Sequence, residues 1–381
     1  MSLTRVQRNA QKAGRSLANR ETPFIYNEWY VVALSRELSR ELTPRTVLGR
    51  QIVMFRKEDG TPVALDNRCG HRSFPLSRST LDGDTVVCGY HGLRYNDQGV
   101  CVEVPSQCNC AGISIRSYPL HQQGPIIWIW MGEPEEADLS KIPAMPMLEE
   151  GWVTSEDYMP LKASYVYLHE NLLDLTHLSF LHANTFGTPD YARAEFDTDI
   201  GEDRFLLKRY VVPTRLPPVW AKPTGLEGKD AARITTSDFV SPALHIVHAE
   251  FYDVSLSEAE RPDQRIKTAH IPTPETATST HYFVVHGRNF AREENEVTEF
   301  MHEQLMAAFN EDVVGLEAME ELLASRSDDD DFFEISLKAD SASLSMRRYL
   351  KRRAEAEAAE READSQANPQ TQVAKPVQAL A

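Results

Sequence analysis

Two short segments of the chain each bring a cysteine and a histidine close together. Cys69-Gly-His71 comes first, and Cys88-Gly-Tyr-His91 follows after residues 72–87. Four metal ligands on two tight loops require a small, rigid scaffold, so this pattern constrains the fold more than any other in the chain. The ligand set suits a zinc ion held by two cysteines and two histidines. It also suits a [2Fe–2S] cluster with both cysteines on one iron and both histidines on the other.

The spacing of the four ligands favours the [2Fe–2S] cluster. Structural zinc sites usually take their ligands from CxxC or HxxxH segments, whereas each segment here offers one cysteine and one histidine. Neutral imidazoles in place of two thiolates raise the reduction potential of a cluster, which suits a centre that accepts electrons from a reductase. The chain has five cysteines, an odd number that does not indicate a disulfide framework. Cys101, Cys108 and Cys110 are predicted to be ordinary thiols, with a second metal site as the alternative.

The residues around these loops predict a small all-β domain. Short runs rich in valine, isoleucine and aromatic residues alternate with Asp-Gly and Gln-Gly pairs that are typical of turns. The predicted strands are Trp29–Leu34, Val47–Phe55, Pro62–Leu65, Thr85–Val87 and Ile126–Trp130. We place this domain at residues 25–145, after an N-terminal helical extension over residues 1–24.

The second half of the chain predicts a sheet with flanking helices over residues 146–345. A helix is expected over residues 160–183 and a long amphipathic helix over Thr298–Ala324. The predicted strands between them are Arg204–Val212, His245–Val254, Ile266–Ile271 and His281–Val285. Pro and Gly interrupt these strands, which indicates an antiparallel sheet, so the fold class is α+β. Residues 346–381 are predicted to be a charged tail, helical at first and then disordered.

The first of these helices carries a second candidate metal site. Asn171, Asp174 and His177 are spaced three apart, so they lie along one helix face. His182 follows five residues after His177, about 140° around an ideal helix, so the helix must distort or end there. Two neutral imidazoles and one carboxylate form the facial triad of non-haem Fe(II) oxygenases.

Either of two aspartates could supply the carboxylate of that triad. Asp174 lies beside the histidines in sequence. Asp312 lies within an apolar stripe on the later helix, whereas Glu311 and Glu317 lie outside that stripe. The apolar residues of the stripe are Leu305, Phe309, Leu316, Met319 and Leu323. Burying a carboxylate is costly unless it is paired or binds a metal, and a buried arginine would satisfy Asp312 equally well. The residues alone leave the choice open.

Taken together, these motifs resemble the oxygenase component of the Rieske non-haem iron oxygenases, over residues 25–345. The resemblance implies an N-terminal all-β Rieske domain and a C-terminal antiparallel-sheet catalytic domain of helix-grip, START-like type. It implies a [2Fe–2S] cluster on Cys69, His71, Cys88 and His91, and a mononuclear Fe(II) on His177, His182 and Asp312. It also implies that Asp174 bridges electron transfer between His177 and His91 of a neighbouring subunit, which requires a head-to-tail homotrimer.

Other residues resemble one branch of this family. Asn171 stands where many ring-dihydroxylating members have an acid, as in the monooxygenase and O-demethylase branch. Three segments, His270-Ile-Pro-Thr-Pro-Glu-Thr, His281-Tyr-Phe and Arg288-Asn-Phe, resemble the vanillate O-demethylase and dicamba monooxygenase group. That group oxidises the methyl carbon of a methoxylated aromatic acid with O2 and releases formaldehyde. Its electrons come from NAD(P)H through a separate reductase, with or without a ferredoxin.

Three alternatives remain beside O-demethylation. Some relatives hydroxylate aryl methyl groups, and others hydroxylate or dihydroxylate an aromatic ring. A Rieske electron carrier without oxygenase activity would explain the first motif, but it would not explain the residues from Asn171 to His182.

The strands before the long helix offer candidate contacts to a small aromatic substrate: His245, His248, His270 and Arg288. His245 and His248 are three apart on a strand, so they face opposite sides of the sheet. At most one of these two therefore lines the substrate pocket.

Charge and hydropathy exclude several other classes of protein. The chain has 40 Lys and Arg against 57 Asp and Glu, a net charge of −17 that argues against nucleic-acid binding. No apolar run approaches the roughly 18 residues of a membrane span. The N-terminus has basic residues but no apolar segment typical of a secretory signal, so we expect a cytoplasmic protein.

Overall fold

A computed structural model of the chain describes residues 4–107, 109–110, 112–326 and 334–367. Cys108 and the predicted disordered end of the tail lie outside the described residues. The chain forms two compact units. Of the described residues, those within 23–142, 273–276 and 354–367 form one unit, the β unit. Those within 4–22, 143–272 and 277–353 form the other, the sheet–helix unit.

The strands of the β unit are β1 (Trp29–Leu34), β2 (Thr43–Val47), β3 (Arg50–Arg56), β4 (Pro62–Asp66), β5 (Thr80–Asp82), β6 (Thr85–Val87), β7 (Arg94–Tyr95), β8 (Cys101–Glu103), β9 (Leu120–Gln123) and β10 (Ile126–Trp130). They form three antiparallel sheets, with the strand orders β1-β10-β9, β2-β3-β4 and β5-β6-β7-β8. The predicted run Val47–Phe55 is wrong as one strand. Leu48 and Gly49 have φ angles of 51° and 74° and turn the chain back into a hairpin.

The sheet–helix unit is built on one seven-stranded antiparallel sheet. Its strands are β11 (Val153–Leu161), β12 (Glu195–Ile200), β13 (Phe205–Thr214), β14 (Ala231–Ser241), β15 (Leu244–Asp253), β16 (Arg265–Thr276) and β17 (Ser279–Arg288). Their order in the sheet is β11-β17-β16-β15-β14-β13-β12. The sequence patterns missed β11, β12 and β14. In β14 the inward positions include Arg233, Thr235 and Ser237, so the strand lacks the apolar alternation that would have predicted it.

Five helices complete the described chain: α1 (Arg5–Gly14), α2 (Tyr165–Leu173), α3 (Pro218–Thr224), α4 (Asn295–Ala324) and α5 (Ser341–Ala367). Helix α1 covers only part of the predicted extension over residues 1–24. Helix α4 packs on α2, α3 and β11. No helix in the described ranges is long and apolar enough to cross a membrane. The arrangement confirms the predicted α+β fold.

The buried face of α4 differs from the predicted stripe at its C-terminal end. Met319 is 52% exposed, and Glu320 is buried in its place. The Glu320 carboxylate lies 2.7 Å from Nη1 of Arg20 and accepts a hydrogen bond from the Ser164 backbone N–H. A carboxylate on this face is therefore not in itself a sign of a metal, because an arginine satisfies this one.

Candidate active site

The two Cys-His segments form a pair of similar tight loops. The Ser73 backbone N–H donates to the carbonyl oxygen of Cys69 at 3.0 Å, and Gly92 makes the same contact to Cys88 at 2.9 Å. Both cysteines are buried, whereas both histidines are exposed. The rings of His71 and His91 face each other with centroids 4.6 Å apart. The loops therefore place the sulfur ligands inside and the imidazoles at the surface.

The spacing of these four ligands fits a two-iron cluster better than a single ion. Among the described residues, one group alone brings three or more His, Cys, Asp or Glu donor atoms within 4.8 Å of one another, and it does not include these ligands. A tetrahedral zinc with bonds of 2.0–2.3 Å would hold its donors only about 3.5 Å apart. Burial raises the pKa of the Cys88 thiol, so paired thiolates here need the positive charge of a metal. The residues thus fit a [2Fe–2S] cluster.

A break in the chain at Asp174 determines where His177 lies. Helix α2 ends at Leu173, and Asp174 has extended backbone angles of −119° and 91°. Its carboxylate accepts a hydrogen bond from the Thr176 backbone N–H at 2.9 Å and caps a 3-10 helix, Leu175–Ser179. The predicted continuous helix over residues 160–183 is therefore wrong, and the helix ends before His182.

His177, His182 and Asp312 are the group that converges. Oδ1 of Asp312 lies 3.5 Å from Nε2 of His177 and 3.2 Å from Nε2 of His182. Burial alone would raise the pKa of Asp312, but the hydrogen bond with His182 and the charges of the two histidines lower it. This charged carboxylate with two imidazoles matches the donor set of a non-haem Fe(II) site. Asn171 donates a hydrogen bond to Asp312 at 3.0 Å, whereas Asp174 lies outside the group.

A second layer of hydrogen bonds orients the two imidazoles. Nδ1 of His177 contacts the carbonyl oxygen of Asp174. Nδ1 of His182 lies 2.7 Å from Oε2 of Glu311, which also accepts a hydrogen bond from the Thr185 hydroxyl at 2.8 Å. Each partner of Nδ1 is an acceptor, so with a metal bound each ring would hold its proton on Nδ1 and would leave Nε2, which faces Asp312, free to bind the metal. The sequence patterns missed Glu311, although its position beside Asp312 was an available signal.

We expect Glu311→Ala to weaken metal binding at the His177–His182–Asp312 group by about 10- to 100-fold, because His182 loses the acceptor that orients it. Titration of Co(II) into protein stripped of its mononuclear metal measures this affinity without turnover. Glu317→Ala is the matched control, since Glu317 lies on the same helix and accepts from the Lys162 backbone N–H. Equal metal affinity in the two variants would contradict the orienting role.

Aromatic side chains border this metal-ligand group. The Phe186 ring lies 4.6 Å from the His182 ring, and Phe309 lies 5.1 Å from the ring of His270. Trp220 lies 6.1 Å from Phe186 and stacks on Phe251 at 5.4 Å. Apolar and aromatic walls with a few polar groups are typical of sites for small aromatic ligands.

The four predicted substrate contacts fall into two groups. His270 and His245 are cross-strand neighbours on the inner, helix-covered side of the sheet, and both are buried. Burial lowers the pKa of His270 to about 4, so this ring is neutral; its Nδ1 lies 2.5 Å from the Tyr282 hydroxyl. Nε2 of His245 lies 2.6 Å from the Ser237 hydroxyl.

His248 and Arg288 are poorly placed to contact a substrate in that region. The expectation that His245 and His248 face opposite sides is confirmed, because His245 is fully buried and His248 is half-buried beside Glu250. The terminal nitrogens of Arg288 donate to three backbone carbonyls and the Thr298 hydroxyl. We therefore retain only His270 and His245 as candidate contacts.

Comparison with known proteins matches both parts of the chain to known domain families. Residues 28–119 match the Rieske [2Fe–2S] domain, and residues 161–356 match the vanillate O-demethylase oxygenase C-terminal domain. The iron–sulfur subunit of a toluene-4-sulfonate monooxygenase system from Comamonas testosteroni is 34% identical over 316 residues, covering 80% of this chain and 90% of its own. The oxygenase component of dicamba O-demethylase from Stenotrophomonas maltophilia is 32% identical over 309 residues, covering 78% and 88%.

The fold also matches a solved structure. The crystal structure of dicamba monooxygenase bound to 3,6-dichlorosalicylic acid superposes with a TM-score of 0.83 at 27% identity. The match covers 88% of this chain and 99% of that one.

Proposed function

Because the chain belongs to the Rieske non-haem iron oxygenases, as the oxygenase component of an aromatic monooxygenase, we propose that it O-demethylates a methoxylated aromatic acid and releases formaldehyde. The observation that carries the proposal is the convergence of His177, His182 and Asp312 beside the Phe186 ring. The match to the vanillate O-demethylase domain and the likeness to dicamba monooxygenase support this reaction.

The two metal sites have separate tasks in this proposal. Cys69, His71, Cys88 and His91 would hold the [2Fe–2S] cluster, and His177, His182 and Asp312 would hold Fe(II). When bound, the cluster supplies electrons and the Fe(II) supplies the activation of O2. The overall reaction consumes a methoxyarene, O2, two electrons and two protons, and it yields a phenol, formaldehyde and water.

The protein's own residues position the substrate and exclude water. Phe186 and Phe309 offer ring faces against which an aromatic substrate packs. His270 is neutral and buried beside Phe309, so it offers a hydrogen bond without adding a charge. Burial of these groups keeps the reacting methyl carbon away from bulk water.

Electron delivery in this proposal depends on a second copy of the chain. The Asp174 carbonyl contacts His177, and the Asp174 side chain is half-buried, while His91 is exposed. Asp174 of one subunit would bridge to His91 of its neighbour in a head-to-tail homotrimer, a closed ring with one repeated contact. A reductase that uses NAD(P)H would reduce each cluster.

The experiment reduces the purified protein, admits O2 and supplies a panel of methoxylated and methylated aromatic acids. We expect formaldehyde in equal amount to the phenol from a methoxylated acid. The toluene-4-sulfonate monooxygenase relative favours a second candidate, hydroxylation of an aryl methyl group. A benzylic alcohol from 4-methylbenzoate or toluene-4-sulfonate, with no formaldehyde from any methoxylated acid, would replace the proposal with that one.

A further inference from the structure

A buried arginine lies within an aromatic cluster on the inner side of the seven-stranded sheet. Arg233, on β14, is 4% exposed. Its guanidinium lies 4.9 Å from the ring centre of Tyr191, 5.6 Å from that of Trp220 and 5.8 Å from that of Phe186. Guanidinium groups stack favourably on aromatic faces, but this contact does not neutralise the charge.

No acidic side chain among the described residues pairs with Arg233, because none brings a carboxylate oxygen within 4.0 Å of its guanidinium. The Phe186 carbonyl oxygen accepts from Nη1 at 2.8 Å, and Nε has no partner. Burial lowers the pKa of Arg233, and the more distant Asp190 opposes that effect. A buried charge is costly unless it is paired, so this cation lacks an anion.

The neighbouring polar groups also lack acceptors. The Tyr191 hydroxyl and the Trp220 indole nitrogen are buried without a hydrogen-bond partner among the described residues. Thr235, the next inward residue of β14, has an unpartnered hydroxyl as well. An indole N–H only donates, and a guanidinium only donates. The group is therefore rich in donors, and a ligand with several acceptor atoms would satisfy them.

A second buried arginine on the inner side of the sheet, Arg209, has a structural role and can be compared with Arg233. It lies on the adjacent strand β13, stacks on Tyr191 at 5.6 Å and is almost fully buried. Nη1 of Arg209 donates to the Tyr191 carbonyl oxygen and Nη2 donates to the Thr176 hydroxyl. Nε has no partner in either arginine. Both terminal nitrogens of Arg209 have partners, whereas among the described residues only Nη1 of Arg233 does.

The Phe186 ring connects the unpaired donors with the candidate iron ligands. It lies beside the Arg233 guanidinium and also beside the His182 ring. A ligand packed along Phe186 would have one end at Arg233 and the other end near His182. A benzene ring with an acid group and a para substituent has this elongated shape.

We propose that Arg233, Tyr191 and Trp220 bind the acid group of the substrate, a carboxylate or a sulfonate, and so direct its opposite end toward His177, His182 and Asp312. This inference rests on the proposed function, which identifies the methoxy end of the substrate as the end that reacts. Binding of the acid group requires no turnover, so it is tested separately from the reaction.

Calorimetric titration of the iron-loaded protein, without reductant, tests the acid site. The probes are 4-methoxybenzoate, toluene-4-sulfonate and the neutral analogue 4-methoxybenzamide. We expect the unaltered protein to bind at least one acid about tenfold or more tightly than the amide, since hydrogen bonds to charged groups are the stronger ones. The tighter of the two acids identifies the preferred anion.

Arg233→Gln should weaken acid binding by about 10- to 100-fold and leave amide binding unchanged. Arg209→Gln, the matched control, should leave the ratio of acid to amide affinity as it is in the unaltered protein. A merely structural Arg233 would give a different result, because its loss would weaken both ligands alike.

Tyr191→Phe tests the site even if Arg233→Gln does not fold. The substitution removes an unpartnered buried hydroxyl, so the melting temperature should not fall, while acid affinity should drop about three- to tenfold. Equal affinities of the unaltered protein for acid and amide, or an unchanged acid preference in Tyr191→Phe and Arg233→Gln, would overturn the inference. Absence of formaldehyde in the turnover assay would instead count against O-demethylation alone.

Discussion

The Asp312→Ala protein is expected to keep the visible spectrum of its [2Fe–2S] cluster and to lose both its mononuclear iron and its oxygenase activity. Asp312 is the carboxylate that lies within 3.5 Å of both His177 and His182. Alanine leaves two neutral imidazoles, which form an incomplete site for Fe(II). Iron analysis should fall from about three to about two irons per chain, since the cluster holds two.

Glu320→Gln is the matched control for Asp312→Ala. Glu320 is a second buried carboxylate on the same face of α4, but its partner is Arg20. Its loss should lower the melting temperature, because Arg20 loses its ion pair, and should leave the iron content unchanged. Full iron content and normal activity in Asp312→Ala would show that another carboxylate completes the site.

The Asp174→Asn protein is expected to bind both metals and yet to form product roughly 100-fold more slowly or worse. Asparagine preserves the backbone carbonyl that contacts His177 and the side-chain oxygen that caps the 3-10 helix at Thr176. The charge of the carboxylate is lost, and with it the proposed bridge to His91 of a neighbouring subunit. Stopped-flow spectroscopy of the reduced protein, mixed with O2 and substrate, should show slow oxidation of the cluster.

Asp138→Asn provides the control for Asp174→Asn. The Asp138 carboxylate caps another 3-10 helix by the same contact, here to the Ser140 backbone N–H at 2.9 Å. Cluster oxidation at the normal rate is expected in this variant. Normal coupled turnover in Asp174→Asn would refute the bridging role, and loss of iron would assign Asp174 to the structure of the site instead.

Local patterns predicted much of the candidate site. The two Cys-His segments, His177 and His182 follow from short spacings within one or two loops. Strands such as β1 and β10 were predicted from their uninterrupted apolar runs. The structure buries both runs completely. Strand β14 escaped prediction because several of its inward residues are polar, and one of them, Arg233, belongs to the proposed acid site.

Long-range contacts decided the rest of the site. Asp312 and Glu320 are both carboxylates on the buried face of α4. Apart from the family resemblance, no local pattern in the sequence distinguishes a metal ligand from an ion-pair partner. The difference arises because Asp312 meets His182, 130 residues away in the chain, whereas Glu320 meets Arg20, 300 residues away. In the same way, the folded sheet places Arg288 among backbone carbonyls and leaves Nε of Arg233 without a hydrogen-bond partner among the described residues.

The sequence by itself determined the family and the fold class and predicted the ligands of the cluster, because a motif within a loop carries its geometry in its spacing. The tertiary structure alone decided which glutamate orients His182 and which buried arginine has a terminal nitrogen without a hydrogen-bond partner among the described residues. It also brought Asp312, which the family resemblance had implied, next to the two histidines. Each of these points concerns which charged or polar side chains pair inside the core. The cost of an unpaired charge there depends on neighbours that are distant in the chain.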